Sequence, residues 1–283
     1  MSKGREILLV LAGASLAGAV CAAQTGPGVE LTSLGDGLVA APVVVAGERL
    51  DMLVDTGASR SLLRAVVAER LGLRPRARFD LHTPTAVVQA VCAGPVAARL
   101  GGESLSIDCL GWSRELGDAA FAAGVDGVLG MDAMRGVPLR IDVPRRHLIV
   151  GAAALRVIGS EVPLVLAEGR PALVLRARTG GWRGRDLRLV VDSGTSELIL
   201  FGSAGAVGGK GVVHLETLDG HHPVRTAPAP RLGLQRPVRR ALLLPGVTDR
   251  AEDGLLPLAA LGPVAFDWRR SVAILGGRTR RGQ

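Results

Sequence analysis

A seven-residue motif occurs twice in this chain of 283 residues, and in each copy an apolar run ends on an acidic residue. The first copy reads LVDTGAS around Asp55, and the second reads VVDSGTS around Asp192. One copy alone is compatible with an ordinary turn after a strand, because Asp, Ser, Thr and Gly are common turn residues. Two copies in halves of similar design predict a symmetric site in which two carboxylates meet.

The two halves also repeat the same order of predicted elements. A strand, a turn and a second strand that ends at the acidic residue are predicted at residues 38–55 and again at 171–192. Each half closes with a hairpin, which begins at Pro138 in the first half and at Pro263 in the second. A repeat of this length is typical of a duplicated domain rather than a solenoid. We place the boundary in a small-residue passage, which gives lobes at residues 24–155 and 156–283.

The composition favours short strands over long helices. The chain is 48% hydrophobic and holds 39 Gly and 16 Pro, which terminate helices and supply turns. Tyr is absent and only 2% of residues are aromatic, so the core must consist of Val, Leu, Ile and Ala. We therefore expect an all-β fold.

At the two motifs the chain resembles the pepsin/retropepsin-like aspartic proteases. The resemblance implies two pseudo-symmetric barrel lobes with a cleft between them, and it implies that Asp55 and Asp192 form a catalytic dyad that shares one water. Two carboxylates held about 3 Å apart cannot both ionise, so one acts as base while its protonated neighbour acts as acid.

The resemblance also assigns supporting roles within each motif. The hydroxyl residue after the acid interlocks with the backbone of the other motif, and the glycine permits a turn that brings N–H groups toward the carboxylate. The serine at the fifth position is expected to donate to the outer carboxylate oxygen. These supporting residues are Thr56, Gly57, Ser59, Ser193, Gly194 and Ser196.

A second segment of each half is expected to support its acidic loop. In the family an apolar strand that ends in glycine lies beside the loop, and Val128, Leu129 and Gly130 match it. The second half has Leu255 and Leu256 followed by Pro257, whose missing N–H is expected to alter the support of Asp192.

Two hairpins are predicted to cover the cleft as flaps. The first lies at residues 80–91, and the second lies at 214–226 with a turn at Asp219 and Gly220. Pepsin-like enzymes carry a Tyr on the flap, and its absence here leaves the subsite preference open. Ala58 removes a potential hydroxyl donor to the dyad, so we expect activity from mildly acidic toward near-neutral pH.

The N-terminus has the pattern of a secretory signal. Lys3 and Arg5 precede an uncharged stretch that ends in the small residues Cys21, Ala22 and Ala23. We assign residues 1–23 to a signal peptide and expect a periplasmic or secreted protein with no membrane span after cleavage. An uncleaved membrane anchor is the alternative.

Charge and cysteine content exclude other classes of function. The net charge is +8, but the arginines are spread along the chain and no aromatic platform accompanies them, so we expect no nucleic-acid partner. Cys92 and Cys109 form either one disulfide or two buried thiols. Two cysteines without histidines at ligand spacing predict no metal site, and no cofactor is implied.

These observations predict an aspartic endopeptidase that hydrolyses an extended polypeptide as a monomer. The alternative from another class is a non-catalytic periplasmic peptide-binding protein that retains the bilobal fold, which Pro257 and the unusual flaps motivate. A third possibility is a protease that is active only as a homodimer.

Overall fold

A computed structural model describes residues 28–117, 121, 124–202, 211–217, 220–234, 236–244 and 250–279. These residues form three β-sheets and very little helix. The signal assigned to residues 1–23 lies outside the described part of the chain.

The N-terminal sheet carries Asp55. Its strands are β2 (Thr32–Gly35), β3 (Leu38–Val45), β4 (Glu48–Val54), β5 (Leu62–Leu63), β6 (Ala77–His82), β7 (Val87–Ala93), β8 (Val96–Leu100), β9 (Glu103–Ile107), β10 (Leu110–Trp112) and β11 (Gly127–Leu129). Its spatial order is β6-β7-β10-β5-β11-β4-β3-β8-β9, with β2 paired to β3. Two short helices, α1 (Ala65–Arg70) and α2 (Met131–Met134), follow β5 and β11.

The C-terminal sheet carries Asp192. Its strands are β15 (Val165–Ala167), β16 (Arg170–Arg176), β17 (Asp186–Asp192), β18 (Leu198–Phe201), β19 (Gly211–Thr217), β20 (Gly220–Pro228), β21 (Arg240–Leu244) and β22 (Gly254–Pro257). Its spatial order is β15-β16-β17-β22-β18-β21-β20-β19.

The third sheet is built by both halves of the chain, and we call it the shared sheet. Its strands are β1 (Val29–Glu30), β12 (Leu139–Asp142), β13 (His147–Val150), β14 (Val157–Pro163), β23 (Val264–Asp267) and β24 (Val272–Thr279). At its centre β12 pairs antiparallel with β23, with Leu139 opposite Phe266 and Ile141 opposite Val264. All four side chains are buried, so this seam joins the closing hairpins of the two halves through apolar contact.

Each acidic motif follows the same local arrangement of strands. In the N-terminal sheet β4 is antiparallel to β3 and parallel to β11. In the C-terminal sheet β17 is antiparallel to β16 and parallel to β22. The strand that carries each acid is therefore central in its sheet, which fixes where the strand ends. The all-β class with curled, pseudo-symmetric sheets is confirmed.

Short 3-10 turns complete the connections at Val143–Arg145, Ala152–Leu155, Gly180–Trp182 and Leu258–Ala260. The main core is aliphatic, as the composition predicts, with Leu50, Met52 and Val54 of β4 fully buried. Leu50, Met52 and Val54 alternate with more exposed residues, which is the period of a strand that buries one face.

Candidate active site

Asp55 and Asp192 meet at the floor of a cleft of about 530 Å³. Asp55 directly follows β4, and Asp192 is the last residue of β17. Their carboxyl groups lie beside each other, and each affects the pKa of the other. The structure thus brings together two acids from distant parts of the sequence, one from each sheet.

The two motifs are interlocked by hydroxyl-to-backbone hydrogen bonds. The Thr56 hydroxyl donates to the carbonyl of Val191 at 2.6 Å, and the Ser193 hydroxyl donates to the carbonyl of Val54 at 2.7 Å. Each hydroxyl also accepts from the other residue's backbone N–H, at 3.0 and 3.1 Å. Both side chains are buried, so no water competes for these bonds, and the two loops are fixed relative to each other.

Backbone N–H groups hold one oxygen of each carboxylate. Asp55 Oδ1 accepts from the N–H of Gly57 at 2.8 Å and from the N–H of Ala58 at 2.9 Å. Asp192 Oδ1 accepts from the N–H of Gly194 at 2.7 Å. The first carboxylate therefore has two described backbone donors, and the second has one.

Both glycines are required by the opposite acid. A Cβ on Gly57 would lie 2.3 Å from the carboxyl carbon of Asp192, and a Cβ on Gly194 would lie 2.5 Å from that of Asp55. These distances are too short for any side chain. Each motif thus leaves room for the carboxylate of the other.

The electrostatics of the pair is asymmetric. Burial raises the pKa of Asp55, and its hydrogen bonds to Asp192, Gly57 and Ala58 oppose that rise. Burial and the adjacent negative charge of Asp55 raise the pKa of Asp192 well above its ordinary value of 3.8. Burial thus raises the proton affinity of both carboxyl groups, and Asp192 gains more because it also faces the charge of Asp55.

The expected donation from Ser59 and Ser196 is corrected by the structure. Neither serine hydrogen-bonds a carboxylate within the described part of the chain; Ser59 is exposed, and backbone N–H groups already occupy Asp55 Oδ1. The Thr195 hydroxyl donates to the Glu197 carbonyl at 3.2 Å, although Thr195 lines the same cleft as the two acids.

A polar network supports the first motif, and sequence reasoning missed two of its members. The Ser61 hydroxyl accepts from the N–H of Gly130 at 3.0 Å and donates to Asp132 Oδ1 at 2.6 Å. The N–H of Asp55 donates to the carbonyl of Leu129 at 3.0 Å, so the network holds the segment on which the acid rests. Burial raises the pKa of Asp132.

The second motif has an apolar counterpart of this network. Pro257 pairs with Asp192 in register and has no N–H that needs a partner. Leu198, fully buried, occupies the position after the motif that Ser61 occupies in the first half. Pro257 does alter the support, as expected. However, the N–H that Pro257 lacks and the hydroxyl that Leu198 lacks compensate each other, because neither leaves a polar group without a partner. A residue-by-residue alignment of the two halves would have revealed that Ser61 corresponds to Leu198 and Gly130 to Pro257.

Two hairpins cover the cleft, close to the predicted flap positions. Strands β6 and β7 form the first flap, with its tip at Thr83 and Thr85, and β19 and β20 form the second. The Thr85 and Thr217 hydroxyls lie 3.3 Å apart, so the flaps touch. Asp219 of the predicted turn lies outside the described residues.

Cys92 and Cys109 are joined by a disulfide, with their Cα atoms 5.3 Å apart. Cys92 belongs to flap strand β7, and Cys109 directly precedes β10. Because β10 is the neighbour of β7, the bridge fastens the base of the first flap to the sheet.

No group of three or more His, Cys, Asp or Glu side chains within the described ranges is placed to hold a metal ion. Across those same ranges, no helix has the length and apolar character that a bilayer span requires.

Comparison with models of known families finds a match in the N-terminal half of the chain. Residues 41–133 fit a family model described as aspartyl protease, a range that contains Asp55, the first flap, Ser61 and Asp132. The match supports the resemblance to the pepsin/retropepsin-like family that the motifs predict. No curated protein matches the chain.

Proposed function

We propose, from the premise that residues 41–133 belong to the aspartyl protease family, that the whole chain is an aspartic endopeptidase. In this proposal a water between the acids loses a proton to the Asp55 carboxylate and attacks the scissile carbonyl. The protonated Asp192 donates a hydrogen bond to the carbonyl oxygen, where negative charge develops. The proton on Asp55 then passes to the leaving amide nitrogen.

The observation that carries the proposal is the close approach of the two acids in the cleft, where Asp192 is buried and Asp55 is half-buried. Burial of two acids side by side is costly, and the interlock of Thr56 with Ser193 maintains it. A site with two acids of different proton affinity has the base and the acid that hydrolysis of an amide needs.

The proposed substrate is an extended polypeptide segment. The flap strands β6 and β19 are the edge strands of their sheets, and residues of both line the cleft. An edge strand has unpaired backbone N–H and C=O groups, which an extended peptide can pair with. We further propose that residues 1–23 direct export to the periplasm or the outside of the cell, and that the active protein is a monomer.

The rival proposal is a non-catalytic peptide-binding protein. The main argument for this rival is Pro257, which has no N–H to support Asp192. That argument is weakened because a proline, unlike a glycine, needs no polar partner here, and the buried Leu198 stands at the corresponding position. Both proposals predict peptide binding, so only turnover separates them.

The test is cleavage of a random peptide library at about pH 4–7, with products identified by mass spectrometry. We expect the wild type to cleave, and Asp55→Asn and Asp192→Asn each to lose about 10²–10⁴-fold in kcat/KM. Asp108→Asn, an exposed acid outside the cleft, is the matched control and keeps wild-type activity. Equal cleavage by the wild type and both dyad variants would falsify the proposed mechanism.

A further inference from the structure

A buried arginine in the wall of the cleft is not used by the proposed chemistry. Arg170 is the first residue of β16 and lines the cleft, although only 8% of its side chain is exposed. Its Nε donates to the carbonyl of Ala167 at 3.2 Å, and its Nη2 donates to Glu252 and Glu168, each at 3.0 Å. Within the described residues its Nη1 has no hydrogen-bond acceptor. This guanidinium is thus held rigidly and has donor capacity to spare.

The charges packed around Arg170 balance only when the exposed Glu168 is counted. Glu252 is fully buried and is shared between Arg170 and Arg250, whose Nη1 lies 3.6 Å from Glu252 Oε1. Two guanidinium groups therefore face one buried carboxylate. The remaining carboxylate, Glu168, is 62% exposed and sits in a surface turn. Without Glu168 this part of the wall carries a net positive charge, in a desolvated place where charge acts strongly.

The positive charge also acts on the reacting groups. Arg170 lowers the pKa of both Asp55 and Asp192, against the larger effect of burial. Its field therefore reaches the dyad, and a substrate side chain close to the scissile bond lies within range of the same guanidinium. Arginine is well suited to this task because its planar fork matches a carboxylate geometrically.

Glu168 shows that a carboxylate fits at this edge of Arg170. Its Oε2 accepts from Nη2 at 3.0 Å, while most of its side chain remains in solvent. An exposed ion pair of this kind contributes little to stability, so an incoming carboxylate displaces it at small cost. Glu168 thus stands in the position that an acidic substrate side chain takes.

We propose that Arg170 is a specificity-determining residue that binds the side-chain carboxylate of an Asp or Glu near the scissile bond, in exchange for Glu168. The inference rests on the proposed endopeptidase function and names its substrate class: polypeptides with an acidic residue at one position beside the cleaved bond. Glu252 holds Arg170 in place for this contact.

The experiment compares two peptides that differ only by Glu or Gln at the position where the wild-type library profile is enriched in acidic residues. We expect the wild type to prefer the Glu peptide about tenfold in kcat/KM, the gain of one charge-assisted contact. Glu168→Gln removes the competing carboxylate, so it lowers KM for the Glu peptide and raises the preference. Arg170→Gln combined with Glu252→Gln removes both members of the buried pair, leaves only the partly exposed Arg250 without this carboxylate, and brings the preference close to one.

A control separates this site from a general effect of positive charge. Arg60 also lines the cleft but is exposed and stacks over Phe79, 5.1 Å from the ring centroid. Arg60→Gln therefore keeps the wild-type preference for Glu over Gln. A wild type without acidic enrichment, or a preference unchanged in Glu168→Gln and in the Arg170/Glu252 double variant, overturns the proposal.

A binding readout distinguishes failure of this inference from failure of the proposed function. The immobilised Asp192→Asn variant is incubated with the same library, and retained peptides are identified without any need for cleavage. Enrichment of acidic peptides with no wild-type cleavage rejects the protease and supports the carboxylate subsite. Wild-type cleavage without such enrichment rejects the subsite and supports the protease.

Discussion

Two aspartates of identical chemistry differ here because of what surrounds each one. Asp55 has two backbone donors on Oδ1, whereas Asp192 has one described donor and faces the charge of its neighbour. The difference of a single N–H is small in energy, about 1 kcal/mol for a typical hydrogen bond. Within a coupled pair of acids, this difference favours the negative charge on Asp55.

The pH profile follows from the direction of these pKa values. Activity needs one proton on the pair, so it rises with pH through the lower apparent pKa of the pair and falls through the higher one. Burial raises both, so we expect a bell-shaped kcat/KM profile with its maximum between about pH 4 and 7. Thr195→Ala is the control. We expect it to leave the rise of activity at low pH where it is in the wild type, because the Thr195 hydroxyl already bonds Glu197. A maximum near pH 2–3 contradicts the expectation.

Stability changes with pH for the same reason. The folded state keeps the proton of Asp192 above the ordinary pKa of 3.8, whereas the unfolded chain releases it. This contribution to stability is complete at low pH and is lost as pH rises toward the folded pKa. Asp192→Asn has no proton to lose, so we expect its Tm to exceed that of the wild type by about 2–4 °C at pH 7 and by less at pH 4. Thermal melts at both pH values check this, and a gain independent of pH argues against it.

At the residue scale the sequence predicts the dyad and the interlock but not the environment. Asp55, Thr56 and their counterparts follow from the repeat, since only a symmetric site explains two copies. The orientation of Ser59 and Thr195 could not be predicted. A hydroxyl at either position can bond a carboxylate or a nearby backbone group, and the two hydrogen bonds are of similar strength. Arg170 and Glu252 escape notice for a related reason: their pairing joins segments far apart in sequence.

Among the structural elements, the segments behind the two acids avoid an unpaired buried N–H in two different ways. Gly130 has an N–H that needs a partner, and Ser61 supplies the acceptor. Pro257 has no N–H, and the buried Leu198 stands at the position that corresponds to Ser61. A Cβ on Gly130 would lie 2.5 Å from the backbone of Arg60, so the first half cannot adopt the second solution without moving.

This difference predicts the effect of removing the serine hydroxyl. Ser61→Ala leaves the N–H of Gly130 and the carboxyl of Asp132 buried without this partner, so we expect a loss of about 1–3 kcal/mol in the free energy of unfolding. Urea denaturation measures it. Ser106→Ala, an exposed serine in β9, is the control and changes stability by less than about 0.5 kcal/mol. Equal stability of the two variants contradicts the network's role.

The strands themselves are largely predictable. Residues 38–45 and 186–192 coincide with β3 and β17, because apolar residues and turn glycines delimit them clearly. In both halves a short helical turn follows the strand behind the acid: α2 follows β11, and the 3-10 turn at Leu258–Ala260 follows β22. The contacts between the flap tips are not predictable, since they depend on how the two sheets face each other.

For the molecule as a whole, the shared sheet and the interlock make one unit of two similar halves. Strands β12 and β23 come from opposite halves and pair at the centre of that sheet. At the site, the hydrogen bonds between Thr56 and Ser193 also join the two halves of the chain. This intramolecular pairing supports the proposal that the protein acts as a monomer.

Mixing two inactive variants tests that statement. If each active site uses both acids of one chain, then Asp55→Asn and Asp192→Asn mixed in equal amounts stay inactive, because every molecule lacks one member. Peptide cleavage by the mixture is measured after incubation and compared with each variant alone. Recovery of about one quarter of wild-type activity indicates that chains exchange halves, as a homodimeric enzyme requires.

The reciprocal glycines have a consequence for how such a chain can diverge. Since a Cβ at Gly57 collides with Asp192 and a Cβ at Gly194 collides with Asp55, neither half can drift alone at the point where they touch. Duplication usually frees one copy to change, but here the glycine of each copy leaves the space that the carboxylate of the other copy occupies. Chimeras that join the first half of one relative to the second half of another should therefore tolerate exchange of flaps and surface loops, while the small patch around these glycines must be inherited as a matched set.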